Sequence, residues 1–144
     1  MLKKSLATIG LSSALLAAGL LGAPAANAAG YDGTDPVSTG CVSGAYAVQS
    51  WKFQKGEGLA ELVYSPRCGT NWVNVYGYLP GQNYWAVIQV PSTTKSAIAM
   101  TAGVSSEHSA QVTAPGNTCV EVTWGHRVPD TGLVGGGTAR IGSC

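Results

Sequence analysis

Asn71-Trp72-Val73-Asn74-Val75-Tyr76-Gly77-Tyr78, the turn Leu79-Pro80-Gly81-Gln82-Asn83, and then Tyr84-Trp85-Ala86-Val87-Ile88-Gln89-Val90 decide the fold class. In the first run Val73 and Val75 point one way, while Trp72, Asn74, Tyr76 and Tyr78 point the other, the period-2 signature of a strand. Pro and Gly in the turn stop the run, and β-branched and aromatic residues resume after it. Working outward, the same grammar repeats: strands are expected near Gly44–Phe53, Leu59–Ser65, Asn71–Tyr78, Tyr84–Val90, Ser96–Ala102, His108–Ala114, Thr118–Trp124 and Val134–Ile141. Ser96–Ala102 is Ala-rich and fits a helical turn as well as a strand. Elsewhere no helical period is present, so the fold class expected is all-β, a small antiparallel sandwich or barrel. Facing residues follow: Ala60, Leu62 and Tyr64 inward with Glu61 and Val63 outward, and Val120, Val122 and Trp124 on one face.

The chain opens Met1-Leu2-Lys3-Lys4, continues with an apolar stretch from Leu6 to Leu21, and reaches Pro24 and Ala26-Asn27-Ala28. A basic start, an apolar middle and an A-x-A end read as a cleavable secretory signal over residues 1–28. As a membrane anchor the stretch is short and rich in Ala, Gly and Ser, where a span wants about 20 strongly apolar residues. Cleavage leaves residues 29–144 as one secreted β domain, with no membrane span expected after it and a protein released or held outside by what it binds.

In that domain six basic residues face seven acids, and no basic run occurs. Nucleic acid is therefore not an expected partner, nor is a polybasic attachment to membranes. Cys41, Cys68, Cys119 and Cys144 all fall in the exported part. An even count in an exported chain reads as two disulfides with three connectivities open. The sequential pairing, Cys41–Cys68 with Cys119–Cys144, is the simplest.

Two stretches belong together: Tyr31-Asp32-Gly33-Thr34-Asp35-Pro36 with Thr39-Gly40-Cys41, and Leu62-Val63-Tyr64-Ser65-Pro66-Arg67-Cys68-Gly69-Thr70-Asn71-Trp72. The pair resembles a family of small secreted actinobacterial proteins of uncharacterised function, marked by a YDGTDP…GC opening and an L-x-YSPRCGTNW segment. The resemblance spans roughly Tyr31 to Val75. It implies an extracellular setting and makes Cys41–Cys68 the natural bridge; it carries over no activity.

Motifs for chemistry are sparse. Asp32-Gly33-Thr34-Asp35 has the look of a calcium-loop start, but no bidentate acid follows at the required offset, and an Asx-turn before Pro36 explains it. His108 and His126 stand in no zinc-type spacing, so neither metal nor cofactor is expected. No serine sits in a nucleophile motif; a hydrolase would need two or three of Glu61, Glu107, His108, Glu121 and His126 to converge, for instance Glu61 with Glu121 as paired carboxylates. The expectation is a non-enzyme. The ligand-binding candidates are Trp72, Asn74, Tyr76 and Tyr78, an aromatic strand face with an amide between its rings, and Arg67, presented in a turn beside Cys68. Core packing is the competing account of the aromatics. These residues suit a non-catalytic extracellular module for cell wall, polysaccharide or a protein; a secreted inhibitor or effector docking through the Ser65–Thr70 turn is the alternative, and a small hydrolase the second.

Overall fold

A computed structural model describes residues 28–54, 57–128 and 132–144. The signal expected over residues 1–28 lies, but for its last residue, outside them. Among the described residues nine strands follow a short 3-10 turn at Ala28–Tyr31: β1 Tyr46–Lys52, β2 Gly58–Ser65, β3 Thr70–Gly77, β4 Asn83–Gln89, β5 Ser96–Ala102, β6 Ser106–His108, β7 Val112–Thr113, β8 Val120–Val128 and β9 Gly132–Ile141. They form two antiparallel sheets, ordered β1-β2-β3-β6 with β7 also on β3, and β5-β4-β8-β9. Among the described residues no helix is long and apolar enough to cross a membrane.

The two sheets face each other through the residues that alternation turns inward. Ala60, Leu62, Val73 and Val75 from the first sheet meet Tyr84, Ala86, Ile88, Ala99, Val120 and Val122 from the second, all buried. Each fully buried Val, Leu or Ile side chain among them contributes about 1.5–3 kcal/mol. Tyr84 crosses the gap between sheets because Gly58 and Gly77 leave room: a Cβ on Gly77 would sit 2.6 Å from its ring. Its hydroxyl accepts the Leu79 N–H at 3.2 Å, fixing the β3–β4 crossing. At one margin Trp51 of β1 stacks on Trp124 of β8 with ring centroids 4.7 Å apart. His126 is fully buried between the rings of Phe53 and Tyr84. Tyr64 points inward as expected but is half-buried, its hydroxyl accepting the Gly116 N–H.

Ser96–Ala102 is a strand, with the bounds expected. The expected strand His108–Ala114 is instead two short ones, β6 and β7, because residues between them turn away to other partners. Ser109 Oγ accepts the Val73 N–H at 3.1 Å. Gln111 exchanges two backbone bonds with the N-terminal arm, Gly33 N–H to its carbonyl and its own N–H to Thr34 O. Its buried side chain accepts from Thr70 Oγ1 at 2.7 Å and donates to Thr34 and Thr39 hydroxyls at 2.9 Å.

The arm, residues 31–45, is thereby laid over the outer face of β2 and β3. Cys41, Cys68, Val63 and Trp72 form a second, smaller core beneath it, with Tyr31 and Ala45 at its margin. Both bridges follow the sequential pairing, Cys41–Cys68 and Cys119–Cys144. The first clips the arm to the β2–β3 turn, and the second ties the chain's last residue beside β8. Closing loops of this length stabilises a chain by about 3–4 kcal/mol in the chain-entropy account.

Asp32 secures the arm by accepting from Lys95 Nζ and the Thr113 N–H, each at 2.5 Å. Burial alone would push its carboxyl up, but those hydrogen bonds and the Lys95 charge outweigh it and hold the group below its ordinary value. Asp35 is lowered as well, by the Ser38 N–H and then by His108. Depressed folded values stabilise fully above the unfolded carboxylate value of about 4, and that stability is lost as pH falls through the folded values. Thermal melts should therefore show a falling midpoint from about pH 5 down to about pH 3, and Asp32→Asn should lower stability near neutrality while flattening that acid dependence.

Candidate functional site

Antiparallel register sets the outer face of the first sheet. Glu61, Asn74 and His108 stand side by side on β2, β3 and β6, and Tyr76 lies two residues along β3 from Asn74. Asn74 Nδ2 donates to Glu61 Oε2 at 3.1 Å and to the Tyr76 hydroxyl at 3.2 Å, and that hydroxyl donates to Glu61 Oε2 at 3.3 Å. Burial, then the Glu61 charge, pushes the Tyr76 phenol up, so it remains a neutral donor. His108 Nε2 meets Asp35 Oδ2 at 3.0 Å, while Asp35 Oδ1 accepts the N–H groups of Val37 and Ser38. The Asp32–Asp35 stretch thus forms the Asx-turn expected of it. Asn74, Tyr76, Ser106, Glu107 and His108 line a shallow hollow of about 170 Å³.

The five ligand-binding candidates do not share one surface. Asn74 and Tyr76 sit in the network. Tyr78 follows the end of β3 and is 51% exposed. Trp72 points outward as the alternation requires, yet it is only 4% exposed because the arm covers it. Its place is a packing residue of the second core, so it offers no platform; nothing in its own strand could reveal that a remote arm would cover it. Arg67 is exposed in the β2–β3 turn, at the strand end opposite to Tyr76. Six residues of extended chain separate the two by about 20 Å.

Of the acids and histidines considered for hydrolysis, Glu107 and His108 line the hollow, His108 in the row that also carries Glu61, while Glu121 and His126 lie elsewhere. Glu61 is on the outer face of the first sheet; Glu121 is on the outer face of the second, bound to Arg140 at 2.7 Å and Gln89 at 2.6 Å. The Arg140 hydrogen bond lowers its carboxyl despite partial burial. His126 lies inside the core, its Nε2 3.0 Å from Glu57 Oε2 but off the ring's donor direction. Among the described residues no three His, Cys, Asp or Glu side chains are grouped to hold a metal ion.

A second surface lies outside the five ligand-binding candidates, where Trp85 and Gly125 of the second sheet face outward beside Gly136. Its signal was the run Gly135-Gly136-Gly137 inside a strand, which marks a bulge or a close approach.

A protein-family model described as "Protein of unknown function (DUF2690)" matches residues 29–124, from the arm to Trp124 within β8. No curated protein and no solved structure matches the chain.

Because Trp72 packs under the arm, Trp72→Ala should cost about 3–5 kcal/mol in urea unfolding, the range for emptying a buried aromatic site. A change under about 1 kcal/mol would place the ring outside the second core.

Proposed function

The chain belongs to the DUF2690 family of unknown function, and we propose that it is a secreted, non-catalytic binding module acting on cell wall, polysaccharide or an extracellular protein. One observation carries the reading: the locked Glu61–Asn74–Tyr76 network beside His108 on the outer face of the first sheet. A phenol held by two neighbours loses little freedom on binding, and a preorganised group spends less of its interaction on ordering. The network leaves Glu61 Oε1, Asn74 Oδ1 and His108 Nδ1 to meet ligand hydroxyls or amides, beside an aromatic ring and the exposed Tyr78. Two disulfides suit an oxidising compartment. The basic-apolar-small order of residues 1–28 supports export, and the YDGTDP and YSPRCGTNW motifs support an actinobacterial setting.

A second reading, an inhibitor or effector that docks through the Ser65–Thr70 turn, has one observation in its favour. Arg67 is exposed and without an ion pair among the described residues, in a turn that Cys68 and the Ser65 hydroxyl hold rigid.

Co-sedimentation of the oxidised protein with isolated cell walls and insoluble polysaccharides tests the first reading. Saturable binding is expected, weakened about tenfold or more by Tyr76→Ala, which corresponds to about 1.4 kcal/mol. Binding that ignores Tyr76→Ala sinks the assignment to this face. For the second reading, protein capture from culture fluid should be lost in Arg67→Ala with the melting midpoint unchanged; equal capture by that variant rejects the turn as the docking loop.

A further inference from the structure

The outer face of the second sheet is built differently from that of the first, and no arm covers it among the described residues. Strand pairing puts Met100, Trp85, Gly125 and Gly136 in one row and Ile98, Val87, Thr123 and Thr138 in the next. Met100 is 62% and Ile98 52% exposed. Trp85 lies over Gly125, where a Cβ would come within 2.7 Å of the indole. On the opposite side of the same strands Trp124 lies over Gly137 in the same way, also at 2.7 Å. The register between β8 and β9 shifts at Gly125–Arg127, and Gly135, with φ 68°, turns the bulge. Trp85, Thr123, Gly125, Gly136 and Thr138 line a cleft of about 300 Å³ along the edge strand, while the spaces beside Gly135 and Gly137 are taken by the Gln54 and Trp124 side chains.

We propose that this cleft is a binding site for a neutral sugar ring of a polysaccharide, with the Trp85 indole as its stacking surface. Three features fit that chemistry. A pyranose presents C–H groups on its faces and hydroxyls at its rim, matching an aromatic plane bordered by polar groups. The Thr123 and Thr138 hydroxyls lie 3.0 Å apart; their mutual bond uses one proton and leaves another, with free lone pairs, for ligand hydroxyls. β9 is an edge strand, so its outward backbone N–H and C=O groups stay open to a ligand.

Charge selects among ligands. Among the described residues no charged side chain lines the cleft. The row beyond Thr123 carries Glu121 and Arg140, which neutralise each other at 2.7 Å, and the row beyond Trp85 carries Arg127, outside the cleft lining. Inside the cleft lining itself an anionic or cationic ligand would lose hydration without gaining a charged partner. The apolar strip from Trp85 and Val87 to Met100 and Ile98 continues from the cleft and gives neighbouring sugar units of a chain a surface to follow. This site is on the opposite side of the sandwich from Tyr76, so the two stand or fall separately.

Tryptophan fluorescence of the oxidised protein, titrated with soluble neutral oligosaccharides (β-linked glucose, β-linked N-acetylglucosamine and α-linked glucose series), tests the proposal. A saturable change is expected with at least one series, absent in Trp85→Ala and at least tenfold weaker in Gly125→Ala, whose Cβ would displace the indole. Thr138→Val changes an exposed residue and keeps the test sound if those variants unfold; it should weaken binding several-fold. Tyr76→Ala should leave the titration unchanged. No saturable change with any series, equal binding by Thr138→Val and Trp85→Ala, or tighter binding of charged uronic-acid oligomers overturns the proposal. Self-association abolished by Met100→Lys, with no response to sugars, would assign the face to a second copy of the chain and overturn it as well.

Discussion

The buried side-chain amide of Gln111 is the constraint on which the first sheet's outer face depends. It has no water to turn to, and its oxygen and nitrogen are satisfied only by Thr70 of β3 and by Thr34 and Thr39 of the arm. A buried polar group left unpaired costs about 1–3 kcal/mol, so the arm cannot drift from this position without exposing that cost. The Cys41–Cys68 bridge limits how far the arm can travel; Gln111 specifies where it rests. With the arm so placed, Trp72 and Val63 become a second core, and Asp35 arrives within reach of His108. A purely apolar contact would have allowed the arm to slide; directional bonds to three threonines do not.

The sandwich consequently has two unlike outer faces. One is half covered, and what remains open is polar and fixed by hydrogen bonds among Glu61, Asn74 and Tyr76. The other is a bare apolar strip that ends in a glycine cleft, with polar rows on either side: Gln89, Glu121 and Arg140 at one end, Asn83 and Arg127 at the other. An exposed apolar patch with a polar border marks an interaction surface on a protein this small. The two faces suit ligands of different polarity, and the rigid sheets between them keep the two surfaces in fixed relation.

Glycine carries much of this arrangement. Gly58 and Gly77 admit Tyr84 to the middle of the core, and Gly125 and Gly137 give Trp85 and Trp124 flat seats on opposite sides of the second sheet. In strands, glycine forfeits packing and costs backbone entropy. Here an aromatic ring from the neighbouring strand fills the missing volume, which recovers contact and places the indole parallel to the sheet.

Local pattern alone determined the class of fold: alternation in Val73–Val75 and Val120–Val122, Gly and Pro punctuation, and an even cysteine count read as all-β with two bridges, because side-chain period and turn chemistry are properties of neighbouring residues. Strand faces followed for the same reason, and so did the Asx-turn at Asp35. Tertiary structure decided the rest. Burial of Trp72 depends on an arm some thirty residues away in sequence, and the split of the strand expected over His108–Ala114 depends on Gln111 finding partners on that arm. Trp85 became a candidate only when β4, β8 and β9 came into register over their glycines. Each of these is a contact between segments distant in the chain, and alternation tells which face a side chain takes without telling what, if anything, will lie on it.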